Sequence, residues 1–148
     1  MRKTIVGAVA LALCAAAASA GSPFSLSVTN PTFRVLPGGL PAAGYLRIHN
    51  HSDGPIVLTG ARSPGCGSIM IHRSTNMGGM SRMQMLSSLT IAVGERVSFE
   101  PNGLHLMCTN PRPSMLTDKK VEVTLLFDNN HSLTTNFYLT DARGVEHR

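Results

Sequence analysis

The sequence has no tryptophan, and its 148 residues include only two tyrosines and five phenylalanines. With so few rings, and no interleaving of aromatic and basic residues, it lacks the stacking platform of single-stranded nucleic-acid binders. Charged side chains make up only 14% of the chain. The net charge of +5 comes from scattered residues, so the basic stripe expected of a nucleic-acid partner is missing too. No G-x-S-x-G elbow or other nucleophile motif occurs, which argues against an esterase-type enzyme. Past residue 20, no helical period lasts three turns and no apolar run approaches the length of a membrane span.

The one long apolar run lies at the start, "MRKTIVGAVALALCAAAASAGS". Arg2 and Lys3 precede an apolar stretch from Ile5 to Ala18, and Ala18-Ser19-Ala20 supplies the small residues of a cleavage site. Residues 1–20 therefore read as a secretory signal peptide cut near Ala20, and residues 21–148 as a single exported, periplasmic domain. Cys14 raises the question of a lipid anchor, but Leu13 occupies the place where a small residue is needed. After cleavage the chain keeps about 128 residues, enough for one real core, and a net charge of +3. The domain is expected to be monomeric, with no membrane span.

Short β-rich runs fill this domain: "FSLSVT", "AGYLRIHN", "PIVLTGA", "SIMIHR", "LTIAV", "RVSFE", "LHLMC", "VEVTLLF" and "LTTNFYLT". Turn sequences such as "PGGLP", "HSDGP", "PNG" and "DNNHS" separate them. The expected fold is all-β, an antiparallel β-sandwich with Greek-key connections. The end, "RGVEHR", reads as a frayed tail.

Two runs carry a chemical signal. In "GLHLMC", alternation puts Leu104, Leu106 and Cys108 on one face and His105 and Met107 on the other. In "SIMIHR", Ile69 and Ile71 oppose Met70 and His72 in the same way. Methionine is abundant, with eight residues, and four of them (Met77, Met80, Met83 and Met85) crowd into what reads as a loop after His72. Imidazole and thioether together suit Cu(I), a soft ion. In an oxidising compartment thiolates are lost to disulfides, and thioethers are the sulfur donors that persist. His49 and His51 beside Asp53 fit a solvated turn, His131 a hairpin and His147 the tail, so none of them receives a role.

His72, Met83, His105 and Met107 follow the spacing H-x10-M-x21-H-x-M. This pattern resembles the periplasmic copper chaperones called PCu(A)C. The flanking "SPGCGSIMIHRS", "GGMSRMQM" and "EPNGLHLMC" are similar as well. The resemblance implies a cupredoxin-like fold holding one Cu(I) through those four residues. It also implies delivery to the copper-centre subunit of cytochrome c oxidase or to another copper-accepting periplasmic protein. The alternatives are copper sequestration and an envelope-binding module without metal. An electron-transfer cupredoxin needs Cys, His and Met close together, and the next histidine after Cys108 is His131. Cys66 and Cys108 are the two cysteines outside the leader. Because Cys108 falls on the core face, away from His105 and Met107, a structural Cys66–Cys108 bridge is expected rather than a fifth ligand.

Overall fold

The computed structural model describes residues 23–147; the stretch 1–20 that reads as a signal peptide, with Cys14, lies outside them. Ten strands follow in order: β1 (Leu26–Arg34), β2 (Ala42–Asn50), β3 (Ile56–Arg62), β4 (Ser68–Met77), β5 (Met80–Leu86), β6 (Leu89–Ile91), β7 (Arg96–Phe99), β8 (Leu104–Thr109), β9 (Lys120–Phe127) and β10 (Ser132–Thr140). A 3-10 turn spans Pro113–Leu116. Side by side the strands run β5-β4-β8-β2-β1-β10-β9-β3-β6, with β7 also paired to β2. A short β3–β4 contact, Ala61 opposite Ile69, brings the two halves together. The result is the expected all-β sandwich, closed into a flattened barrel. Its one departure from antiparallel pairing among the described residues is β1 beside β10.

The period of two along each strand fills the interior. On β2, Ala42, Leu46 and Ile48 are buried, while Ala43, Tyr45, Arg47 and His49 take the other face. Their inner partners are Phe33, Leu106, Val123, Leu125, Phe137 and Leu139, all inaccessible to solvent. Gly44 is required by packing: a Cβ there would stand 2.6 Å from the Phe33 ring. Cys66 and Cys108 are joined by a disulfide with Cα atoms 5.4 Å apart, and Cys108 is fully buried.

Three local expectations are corrected. The methionine-rich segment is a β-hairpin instead of a loop: β4 and β5 pair from Ile71–Leu86 out to Met77–Met80. Gly78 and Gly79, both with positive φ, make its two-residue turn, a conformation that glycine adopts without steric cost. The first strand runs on to Arg34, past an irregularity between Thr29 and Thr32 where Asn30 has a φ of 51°. The tail is tied down. The Asp141 carboxylate accepts the backbone N–H groups of Arg143 and Val145 and the Arg143 guanidinium, and Glu146 bridges back to Thr140.

Two predictions follow from these ties. The disulfide closes a loop over a separation of 42 residues, and the chain-entropy model assigns such a closure about 4 kcal/mol. Denaturant unfolding of the Cys66→Ala/Cys108→Ala variant should show a loss of that order; a loss below about 1 kcal/mol would mean that the strands alone hold this end. The second concerns acid. The Val145 N–H first, then the Arg143 side chain, lower the Asp141 pKa from 3.8 to about 2. Its contribution to holding the tail is therefore whole above pH 3.8 and is lost as pH falls through about 2. Amide resonances of residues 143–147 should keep their folded positions at pH 4 and lose them together near pH 2. Collapse of those shifts already at pH 5 would contradict this.

Candidate metal site

The pairing of β8 with β4 and of β4 with β5 assembles the site. Inward, Leu106 opposes Ile71 and Cys108 opposes Ile69. Burial of these four residues locks the register, because a slip by one residue would turn every apolar side chain outward. Outward, the same register sets His105 opposite His72 and Met107 opposite Met70. Across the hairpin, Met85 lies opposite His72 and Met83 opposite Ser74. Directly opposed residues share a face, and diagonal neighbours stay within reach of long side chains at about 7–8 Å. Met83 and Met107 are diagonal to His72 on its two flanks.

Met83, His105 and Met107 line one open cavity of about 310 Å³, together with Ser74, Tyr45 and Arg34. His72 lies beside this wall: its ring stands edge-on to His105, with centroids 5.7 Å apart and planes at 78°. Two imidazoles so placed can each turn a nitrogen toward one ion, at the roughly 2 Å that metal–imidazole bonds require. His105 faces outward as the alternation requires, yet only 7% of it is exposed, so the site is recessed. Met83 is 56% exposed and forms the solvent side.

The two imidazoles differ in their hydrogen bonds. His105 Nδ1 lies 3.1 Å from the Gly103 carbonyl, which can only accept. Nδ1 therefore carries the proton, and Nε2 keeps its lone pair for a ligand. The same carbonyl accepts the Ser74 N–H at 3.0 Å, so one peptide group orients His105 and anchors β4. Gly103 gains this position from the "PNG" turn, with Asn102 at φ 65° and the Gly103 N–H bonded to the Glu100 carbonyl. His72 Nδ1 is buried and has no hydrogen-bond partner. Burial, and then the neighbouring His105, lower the His72 pKa below its usual value, so this ring is neutral and able to donate near pH 7.

Among the described residues, no group of three or more His, Cys, Asp and Glu converges anywhere. Hard cations that demand carboxylates, and the usual zinc sets, are thereby without a site in this region. Two imidazoles and two thioethers make a soft donor set. The hairpin also separates its methionines by face. Met83 and Met85 share the face of His72, whereas Met77 and Met80 pair with each other on the opposite face. The other histidines are engaged elsewhere: His51 with Ser27, His131 stacked on Phe24, His147 on the Asp118 carbonyl, and His49 against the His51 ring. Sequence reading passed over Arg34, Tyr45, Ser74 and Gly103. Of these only Gly103 left a trace, in its turn sequence.

Comparison with known proteins agrees with this architecture. Residues 26–138 match the family described as "Putative lipoprotein LpqE-like". A "Putative lipoprotein" of Leifsonia xyli subsp. xyli is 27% identical, over 98% of this chain and 92% of its own. The copper-bound PCuAC domain from PmoF2 superposes with a TM-score of 0.64 at 21% identity, covering 87% of this chain and 97% of that one. The Cu(I) form of DR1885 from Deinococcus radiodurans gives 0.62 at 28% identity, over 88% of this chain and 85% of its own. The chain belongs to the LpqE-like family and carries the PCuAC fold.

Proposed function

We propose that this protein is an exported copper chaperone that holds one Cu(I) between His72, Met83, His105 and Met107 and hands it to a copper-accepting protein of the cell envelope. The observation that carries the reading is the convergence of these residues on one outer face. Three of them line a single cavity, and the fourth stands against it as a neutral imidazole with an unpartnered nitrogen. The copper-bound PmoF2 domain and Cu(I)-DR1885 share the fold, which supports copper as the cargo. The description of the family as lipoprotein-like, and the leader at residues 1–20, support the envelope as its place.

Transfer suits this donor set better than storage does. A thioether is neutral and binds Cu(I) less tightly than a thiolate, so an acceptor with cysteine ligands draws the metal downhill. Met83, on an edge strand and more than half exposed, is the ligand an incoming group reaches first. The reading takes the dinuclear copper centre of cytochrome c oxidase as the acceptor; retention of copper on this protein in the presence of that reduced apo domain would instead mean sequestration.

The ligand assignment is tested by Cu(I) competition against a chelator. His105→Ala and Met107→Ala should each weaken binding more than about tenfold, since even changes behind the ligands act on that scale. Met83→Ala should cost more than Met85→Ala. Met80→Ala, on the wrong face of the hairpin, and His49→Ala should leave binding unchanged. Equal losses across all six variants would overturn the assignment.

A further inference from the structure

The outer face that carries the metal cavity continues along β2 into a second, differently built surface. Ala43 lies opposite Met107, and Tyr45, Arg47 and His49 follow on the same side of the strand. Around them the register places Thr29, Arg47 and Ser98 in one row and Ser27, His49 and Arg96 in the next. These six side chains line an open cavity of about 470 Å³. Every one of them can donate a hydrogen bond, and none is acidic. Arg47 and Arg96 flank the His49 ring with no carboxylate lining the same cavity, so an anion entering it would meet two guanidinium groups and a row of hydroxyls. Burial, Arg96 and His51 all press His49 toward its neutral form.

A third arginine links this surface to the metal cavity. Arg34, opposite Ala43, lies over the Tyr45 ring at 5.6 Å and forms part of the wall shared with His105 and Met107. Its Nε is buried without a hydrogen-bond partner. A guanidinium at the mouth of a cation site opposes binding by Coulomb repulsion, so copper binding alone does not explain it. Nor is the charge matched internally. Glu100 lines a cavity beside Arg47 without pairing to it, the Glu95 carboxylate accepts the Ala92 N–H, and the one ion pair among the described residues is Arg143–Asp141.

We infer that the strip formed by Arg34, Arg47, His49 and Arg96 is the docking surface for an acidic protein, the one that takes copper from the adjoining cavity. The inference rests on the copper reading for the purpose of docking, while the charge arrangement stands independently of it. Arg47 lies four residue steps along extended strand from Ala43, about 13 Å, which no single phosphate or carboxylate bridges. One protein interface of standard size, about 800 Å² on each side, covers both the strip and the cavity. Guanidinium forks favour carboxylates, and rows of hydroxyls between them add donors. The strip is a chain of concavities, which fits protruding acidic side chains better than a flat lipid surface. Docking there would bring an acceptor's ligands over Met83 and Met107 while neutralising Arg34.

The test uses copper-free protein and two reduced peptides that each carry a Cys pair, one flanked by glutamates and the other by lysines. Backbone amide shifts in β1, β2 and β7 should move with the acidic peptide and not with the basic one. Binding should weaken at least tenfold in Arg47→Glu/Arg96→Glu and also fall with rising salt. Arg47→Gln/Arg96→Gln provides a milder variant with the same expected direction. With Cu(I) loaded, the acidic peptide should remove copper faster than the basic one, and charge reversal should abolish the difference while leaving Cu(I) affinity in chelator competition unchanged. Equal binding of the two peptides, or of both protein forms, overturns the proposal. So does binding to phosphatidylglycerol vesicles that needs these arginines while the acidic peptide does not bind. Failure of the copper reading is distinct: Cu(I) loading is absent although the acidic peptide still binds.

Discussion

The pairing of β4 with β8 is the constraint on which the site depends. Ile69, Ile71, Leu106 and Cys108 are pulled inward by the hydrophobic effect, which acts without direction, but the pleat converts that pull into a register. Once the four are inside, His72 and His105 must face each other outside, and Met107 must stand one row away. No interaction among the polar side chains is needed to bring them together. The disulfide at Cys108 adds a covalent tie on the inner side of the same strand. Core packing and the geometry of the candidate site are thus two faces of one ladder of hydrogen bonds.

The outer face then divides its work between rigid and mobile parts. His105 is recessed and oriented by the Gly103 carbonyl, and that carbonyl is itself held by the Ser74 N–H. This gives one donor whose tautomer is set before a ligand arrives, so little ordering remains to be done on binding. Met83 sits on an edge strand closed by two glycines, where fewer neighbours restrain it. A candidate site with one pre-oriented imidazole and an exposed edge-strand thioether is suited to hold a soft ion and still release it. Arg34 at this opening, with Arg47 and Arg96 on two further strands beside it, gives this side of the barrel positive charge, which in general acts on the rate of encounter with an oppositely charged molecule more than on the strength of the complex.

Much of this was legible in the sequence, because alternation is a local property. "GLHLMC" and "SIMIHR" each divide into apolar and donor faces without reference to any other strand. Which strands are neighbours is not local, so the direct opposition of His72 and His105 needed the structure. The segment after "SIMIHR", which forms the outer half of β4 and all of β5, reads as a loop because its residues are mostly polar or methionine, with few β-branched side chains, and Gly-Gly reads as a break. Its strand character comes from pairing with β4, and only that pairing separates Met83 and Met85 from Met77 and Met80. The tail read as frayed because Asp141 gives no hint in sequence that its carboxylate will gather three donors. The arginine strip was missed for the same reason as the histidine pair. Arg34, Arg47 and Arg96 are scattered in sequence and meet only across three strands.

X-ray absorption of the protein loaded with one equivalent of Cu(I) bears most directly on the chemistry of the site. The ladder of β5, β4 and β8 predicts a first shell with both imidazole nitrogens and thioether sulfurs, in a ratio near two to two, with multiple-scattering features from two rings. Replacing His72 should remove one ring's contribution and leave the sulfur scattering in place. A shell made only of nitrogen and oxygen, or one unchanged when His72 and His105 are both replaced, would contradict a metal site built on this face.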